Sequence, residues 1–418
     1  MIHPSLLRPA TTRTGRPTIV VLSHLRWGFV FQRPQHVLSR LAARCDILFV
    51  EEPVCDATAP RLSVAAAAPG VEVVTPHLGD PAPGFADVHF QPLGRMLDEL
   101  LAQRRVSSPL VWFYTPMALP ILKYLEPCGI VYDCMDDLAS FRFAPPELIR
   151  REGRLLDLAD VVLTGGPSLH AARKGRRPDA HCLPSAVDVA HFARSGLDAR
   201  ADAAATATAM HERIRGPRLG YMGVIDERLD LHLLDDLAWH RPDWSFVMVG
   251  PVVKIDPASL PNRPNIHWTG MAAYAVLPYL LPHWDLALMP FALNEATRFI
   301  SPTKTLEYLA GGLAVVSTPV PDVVSLYGHV VRVASGADGF ERAIEQELAR
   351  PAAGDPKHVQ EVDSLLRSST WDAMVSRVAA AIQPWLGEPS EEAAGRSRGD
   401  VVREPAASHA KEARPVRA

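Results

Sequence analysis

The chain has 418 residues, 48% hydrophobic and 22% charged, with a formal net charge of −4. That length exceeds one ordinary core and predicts two or three domains of ~100–200 residues. The near-neutral balance excludes a global basic field for nucleic acid. The five cysteines, Cys45, Cys55, Cys128, Cys134 and Cys182, are odd in number and form no CxxC pair, so neither a disulfide framework nor a zinc site is supported and a reduced, cytoplasmic protein is the better reading.

Residues 1–16 and 388–418 read as polar, disordered tails, because neither carries the apolar bulk that offsets ordering entropy. "TIVVLSH" (18–24) reads as a strand and "QRPQHVLSRLAARC" (32–45) as a helix. "DILFVEEP" (46–53), "VEVVTP" (71–76), "LVWFYTP" (110–116), "GIVYDCMD" (129–136) and "DVVLTGG" (160–166) continue in the strand style. These runs are apolar on both faces, as in parallel strands covered by helices on each side. The alanine-rich stretch 196–216 lacks an apolar period and reads as a linker or surface excursion. A second series follows: 218–225, 244–250, 265–270, 285–291, 314–319 and 329–334, and then an amphipathic helix over 370–387. The pattern predicts two α/β, Rossmann-like, doubly wound domains facing a cleft, at 17–195 and 217–369. No apolar run reaches the ~18 residues of a membrane helix, and "TIVVLSHL" is too short for a signal peptide. Peripheral contact with the inner membrane face stays open, and the basic run "ARKGRRPDAH" (172–181) is a candidate for it.

Ligands of open parallel sheets sit beyond the carboxyl ends of the strands, so the loops there carry the chemistry. In "FISPTKTLEYLAGGLAVVSTP" (299–319) Ser301 reads as a helix N-cap, Pro302 as the first helical residue, and Gly311 and Gly312 as the stop. Thr303 and Lys304 then offer free first-turn amides and a positive charge at the positive end of the helix dipole. A cation there is unfavourable by roughly 0.3–1 kcal/mol unless an anion compensates, and a diphosphate is the anion that fits. Glu307 lies one turn deeper on the same face and suits the hydroxyls of a ribose. The alternative is a surface Lys304–Glu307 pair worth a few tenths of a kcal/mol.

On the first domain, Gly28 lets its loop pass close to a ligand. Arg26 and Arg33 are positioned for a phosphate, and His24 and His36 are candidate proton acceptors beside structural readings. "VYDCMDDLASF" groups Asp133, Asp136 and Asp137. They suit metal binding, acid/base work or helix capping, and a metal would need the donor phosphates beside it.

The 302–316 segment resembles the donor site of glycosyltransferases with the two-domain GT-B fold, particularly family 4 and related bacterial enzymes of cell-surface polysaccharide synthesis. Their pattern P-x-K-x-x-E-Y-x-A-x-G-x-P-V-V is matched by Pro302, Lys304, Glu307, Tyr308, Ala310, Gly312, Val315 and Val316, with Ala314 at the usual proline. "VFQRPQHVLSRLA", "LPSAVDVAHF" (with Ser185 and Ala186 for Asn-Gly), "YMGVIDERLDLHLL" and "WDAMVSRV" are similar to other segments of that group. The resemblance implies that Lys304 and the amides of Thr303 and Lys304 hold the diphosphate, that Glu307 holds the ribose, and that Arg228 adds a phosphate contact. The alternative for Arg228 is a surface pair with Asp226 or Asp230. A second glutamate, eight positions before Glu307, is replaced by Phe299, and Asn294, Glu295 or Arg298 are its possible substitutes. The resemblance also implies a retaining, metal-independent transfer from a UDP- or GDP-linked sugar to a saccharide or lipid-linked acceptor, with no cofactor. A nucleotide-sugar epimerase of the same fold and a catalytically silent sugar-nucleotide-binding partner are the alternatives.

Overall fold

The computed structural model describes residues 16–194, 197, 200–350 and 355–386. The tails read at 1–16 and 388–418 lie outside these residues, apart from Arg16. The chain divides into two compact units: unit 1 runs to Val131 and resumes at Ala379, and unit 2 is Tyr132–Val378.

Unit 1 contains β1 (Thr18–Leu22), α1 (Arg33–Leu41), β2 (Asp46–Val50), β3 (Arg61–Ala68), β4 (Val71–His77), α2 (Phe90–Gln103), β5 (Leu110–Phe113) and the first half of β6 (Gly129–Cys134). Its strand order is β3-β4-β2-β1-β5-β6. β1 pairs in parallel with β2 and β5, and β2 with β4. β1 and β5 are buried along their whole length, which is why their sequences show no polar alternation. Strand β3 pairs antiparallel with β4 at the edge. Its sequence "RLSVAAAA" carries little strand propensity, so backbone pairing at the edge, not side-chain preference, makes it a strand. After the terminal helix, Trp385 Nε1 donates to Cys128 O at 2.8 Å and Arg44 Nη2 to Gln383 Oε1 at 2.8 Å.

Unit 2 continues β6 and adds α3 (Glu147–Leu158), β7 (Val161–Thr164), α4 (Pro167–Lys174), β8 (His181–Cys182), α5 (Val189–Phe192) and α6 (Ala201–His211). Then follow β9 (Arg218–Met222), α7 (Leu231–His240), β10 (Ser245–Val249), β11 (Ile266–Gly270), α8 (Leu277–Leu280), β12 (Leu286–Met289), α9 (Thr303–Ala310) and β13 (Val315–Ser317). α10 (Pro321–Tyr327), β14 (Arg332–Val333), α11 (Gly336–Leu348), α12 (Pro356–Ser368) and most of α13 (Trp371–Ala381) complete it. Strands β9 to β14 form one parallel sheet in the order β11-β10-β9-β12-β13-β14. The order reverses between β9 and β12, so the ligand edge of this sheet lies beyond their carboxyl ends.

The stretch expected to be a linker contains helix α6. Alanine has the highest helix propensity, and Ala203, Ala207 and His211, spaced four apart, bury one side of it. His211 fixes that side. The carbonyl of Ala207 can only accept from Nδ1 (2.7 Å) and Trp284 Nε1 can only donate to Nε2 (2.8 Å), so the ring is neutral with its proton on Nδ1. Desolvation by burial lowers its pKa and supports the same form.

Candidate donor site

Helix α9 is fixed at the switch point by two buried side chains. Tyr308 Oη accepts the Met222 N–H at the end of β9 (2.8 Å), and Thr305 Oγ1 donates to Met289 Sδ at the end of β12 (3.3 Å). The helix stops where expected, because Gly312 adopts φ +73° just after it.

Its start differs by one residue from the sequence expectation. Thr303 is the first helical residue, and Pro302 (φ −70°, ψ 114°) occupies the cap position with no side-chain cap. Ser301 is therefore not the N-cap. Its Oγ is buried without a hydrogen-bond partner among the described residues, and its carbonyl accepts from Ser185 Oγ at 2.7 Å. Ser301→Ala should therefore change stability by less than about 0.5 kcal/mol, against ~1 kcal/mol for loss of a true N-cap. Urea unfolding of both proteins checks this, and a loss of a full kcal/mol restores the capping role.

Lys304 and Glu307 share one face, as their spacing requires, and pair directly, Nζ to Oε2 at 2.5 Å. The pair is not a surface one: the Glu307 side chain is 4% exposed and that of Lys304 21%. A lysine ammonium has three donors. It can hold Glu307 and still present N–H groups toward an anion at the uncapped first turn.

Arg228 lies in the loop after β9 and pairs with Asp226, not Asp230. Nε reaches Oδ1 at 2.9 Å and Nη2 reaches Oδ2 at 2.7 Å. Asp230 instead caps α7 by accepting the Leu233 N–H at 2.9 Å. Burial works against the Arg228 charge, but the Asp226 hydrogen bonds and the charges of Asp226 and Asp136 outweigh it and hold its pKa above the ordinary arginine value. Its guanidinium lies 5.5 Å from the centre of the Phe141 ring, and Lys254 Nζ lies 4.7 Å from the same ring.

The loop after β12 is held by Asn294. Its Oδ1 accepts the Thr297 N–H at 3.2 Å, and its Nδ2 donates to Glu227 O at 3.0 Å. Glu295 and Arg298 form a loose exposed pair at 3.5 Å, and Arg298 lies 5.0 Å from the Phe299 ring centre. Asn294 is thus a loop anchor, while Glu295 and Arg298 face solvent.

Asp133 lies near the end of β6 itself and is fully buried; the loop that follows carries Asp136 and Asp137. Asp137 does not cap the next turn through its side chain. Its Oδ1 accepts from Arg173 Nη2 at 2.6 Å and its Oδ2 from Ser140 Oγ at 2.5 Å. Arg173 Nη2 also bonds both oxygens of Glu152, whose Oε1 accepts the Tyr132 hydroxyl at 2.9 Å. The next arginines of the basic run are also paired, Arg176 with Asp157 and Arg177 with Asp179, each at 2.7 Å. The run is therefore not a block of unpaired positive charge. Among the described residues no group of three or more His, Cys, Asp or Glu side chains is placed to hold a metal ion.

In unit 1, His24 follows β1 and is partly buried. Arg26 Nη1 donates to Glu51 Oε2 at 2.9 Å, and the Trp27 N–H to Glu51 Oε1 at 2.8 Å. Arg33 opens α1 as expected, behind a capping box of Gln32 and Gln35. Arg33 and His36 are both buried, and His36 meets the Phe31 ring edge-on at 4.7 Å. A Cβ at Gly28 would meet no protein atom within 4 Å, so packing within the chain does not demand glycine there.

Sequence reasoning named Asp226 only as a surface partner of Arg228 and missed Glu227, Phe141 and Arg173. The adjacent "DER" directly after a strand was the available signal for Asp226 and Glu227. The arginine cluster gave no sign of which member turns inward.

The fold and the switch-point helix define a GT-B protein. The chain is similar to the putative teichuronic acid biosynthesis glycosyltransferase TuaH of Bacillus subtilis (strain 168), 24% identical over 313 residues that cover 70% of this chain and 77% of that one. No family model matches. Among solved structures, it superposes on sucrose-phosphate synthase from Thermosynechococcus elongatus with a TM-score of 0.66 at 14% identity, covering 88% of this chain and 98% of that one. A trehalose-6-phosphate structure from E. coli, bound with UDP-2-fluoro glucose, gives 0.64 at 10% identity, covering 89% and 100%. The GT-B fold and the likeness to glycosyltransferases expected from the sequence segments are both borne out. No helix among the described residues is long and apolar enough to cross a membrane.

Proposed function

We propose that the protein transfers a sugar from a UDP-linked donor to a hydroxyl of a saccharide or lipid-linked acceptor, with retention and without a metal or cofactor. The observation that carries this reading is the Lys304–Glu307 pair, with its carboxylate buried and its lysine partly exposed, at the uncapped start of α9, beyond the carboxyl ends of β9 and β12. Two relatives' names support it: the TuaH protein is described as a putative teichuronic acid biosynthesis glycosyltransferase, and the E. coli structure carries UDP-2-fluoro glucose.

The barrier to such a transfer is dominated by charge developing on the departing diphosphate. The amides of Thr303 and Lys304 and the Lys304 ammonium are fixed in place before reaction, which is the arrangement that stabilises such charge without reorganisation. Arg228 spends Nε and Nη2 on Asp226, so Nη1 is the group that would reach a phosphate oxygen. Glu307 accepts from the ribose hydroxyls. Asp136, whose charge acts on Arg228, and His24 in unit 1 are the candidates to orient or deprotonate the acceptor. Calorimetric titration with UDP and GDP, followed by incubation of the donor sugar with and without acceptors, tests the reading. Turnover only with an acceptor, with the product's anomeric configuration matching the donor's by NMR, is the expected result. Conversion of the donor alone to an epimer, or nucleotide binding without any turnover, replaces it with one of the two alternatives.

A further inference from the structure

Glu227 stands between Asp226 and Arg228 in the loop after β9, and three strand-end loops converge on it. Its Oε1 accepts the Arg142 N–H at 3.2 Å, from the loop after β6. Its carbonyl oxygen accepts from Asn294 Nδ2 at 3.0 Å, from the loop after β12. Its Oε2 is buried and has no hydrogen-bond partner among the described residues. A buried carboxylate oxygen left unpaired is costly, by about 1–3 kcal/mol or more, and such groups in folded proteins call for an explanation. Three neighbouring donor groups are engaged elsewhere: Arg228 points its Nε and Nη2 at Asp226, and the Asn294 amide holds the Glu227 carbonyl.

The chemistry of the missing partner is restricted. A carboxylate oxygen only accepts, so the partner must bring an N–H or O–H. A phosphate is repelled by the same charge. The position, at the ligand edge of the sheet beside Arg228, suits the part of a nucleotide sugar beyond its phosphates. We infer that Glu227 Oε2 accepts a hydroxyl of the transferred sugar, so that Glu227 distinguishes the sugar-bearing donor from the bare nucleotide. This rests on the nucleotide-sugar reading above.

The test uses the full chain and the Glu227→Gln variant. Glutamine keeps the shape, and its amide oxygen can still accept the Arg142 N–H. The NH2 group then occupies the Oε2 position and donates where the carboxylate accepted. UDP, UDP-glucose, UDP-galactose, UDP-N-acetylglucosamine and UDP-glucuronate are titrated against both proteins by calorimetry, with thermal unfolding as a folding control. The variant should bind UDP within about twofold of the original protein and should bind the preferred UDP-sugar about tenfold or more weakly. Unchanged UDP-sugar affinity in the variant overturns the inference and leaves the nucleotide-sugar reading standing. Parallel loss of UDP binding also overturns it, because Glu227 would then be holding loops together. If the original protein binds no uridine nucleotide at all, the broader reading fails and takes this inference with it.

Discussion

Lys304→Ala should weaken UDP binding by about 100-fold, the largest effect expected of any single substitution at the site. The lost charge-assisted hydrogen bonds to a diphosphate account for about 1.5–3 kcal/mol, or roughly one to two decades of affinity. A second contribution comes from Glu307, which is 4% exposed and paired with Lys304 at 2.5 Å. Without the lysine, its carboxylate faces the bound diphosphate unneutralised. The double variant Lys304→Ala/Glu307→Gln removes that repulsion and should recover part of the affinity, while Glu307→Gln alone weakens binding through the ribose. Calorimetry reads all three. If Lys304→Ala lowers stability but leaves UDP affinity intact, the pair is a purely structural one and the donor site is elsewhere.

Much of this site was legible in the sequence because each part has a local cause. A serine and proline before an amphipathic run, and paired glycines after it, place a helix to within a residue or two. The one-residue error at Ser301 arose because Pro302 keeps an extended ψ of 114° and so takes the cap position itself. The two sheets were legible because strands such as β1 and β10 are apolar on both faces. Strand β3 was not, because its alanines are held by edge pairing, which leaves no periodic trace. Helix α6 was not, because its buried side is made of alanine and one histidine, which no hydrophobic period reveals. The roles of Asn294 and Asp137 were hidden for a different reason. Both are polar residues in loops after strands, where binding residues occur, but each is spent on contacts with residues far along the chain, Asn294 on Glu227 and Asp137 on Arg173. Spacing along the sequence carries no information about such partners.

That buried network is also where the largest stability effect is expected. Arg173 Nη2 joins Asp137 and both oxygens of Glu152, with all three side chains at most 15% exposed. Burial opposes the arginine's charge, yet Glu152 and Asp137 outweigh it and raise its pKa above the ordinary value. The same surroundings push the Cys134 thiol up, through desolvation first and Glu152 second. Arg173→Met therefore leaves two poorly solvated carboxylates without their counter-ion, and urea unfolding should show a loss of about 3–5 kcal/mol. Arg173→Lys should recover only part of it, since an ammonium cannot span both carboxylates with the guanidinium's planar set of donors. Arg173→Met/Glu152→Gln should also be more stable than Arg173→Met alone, because one buried charge is gone. A loss below about 1 kcal/mol for Arg173→Met, the range of exposed ion pairs, would mean that water reaches the carboxylates and that the loop after β6 is anchored by other contacts.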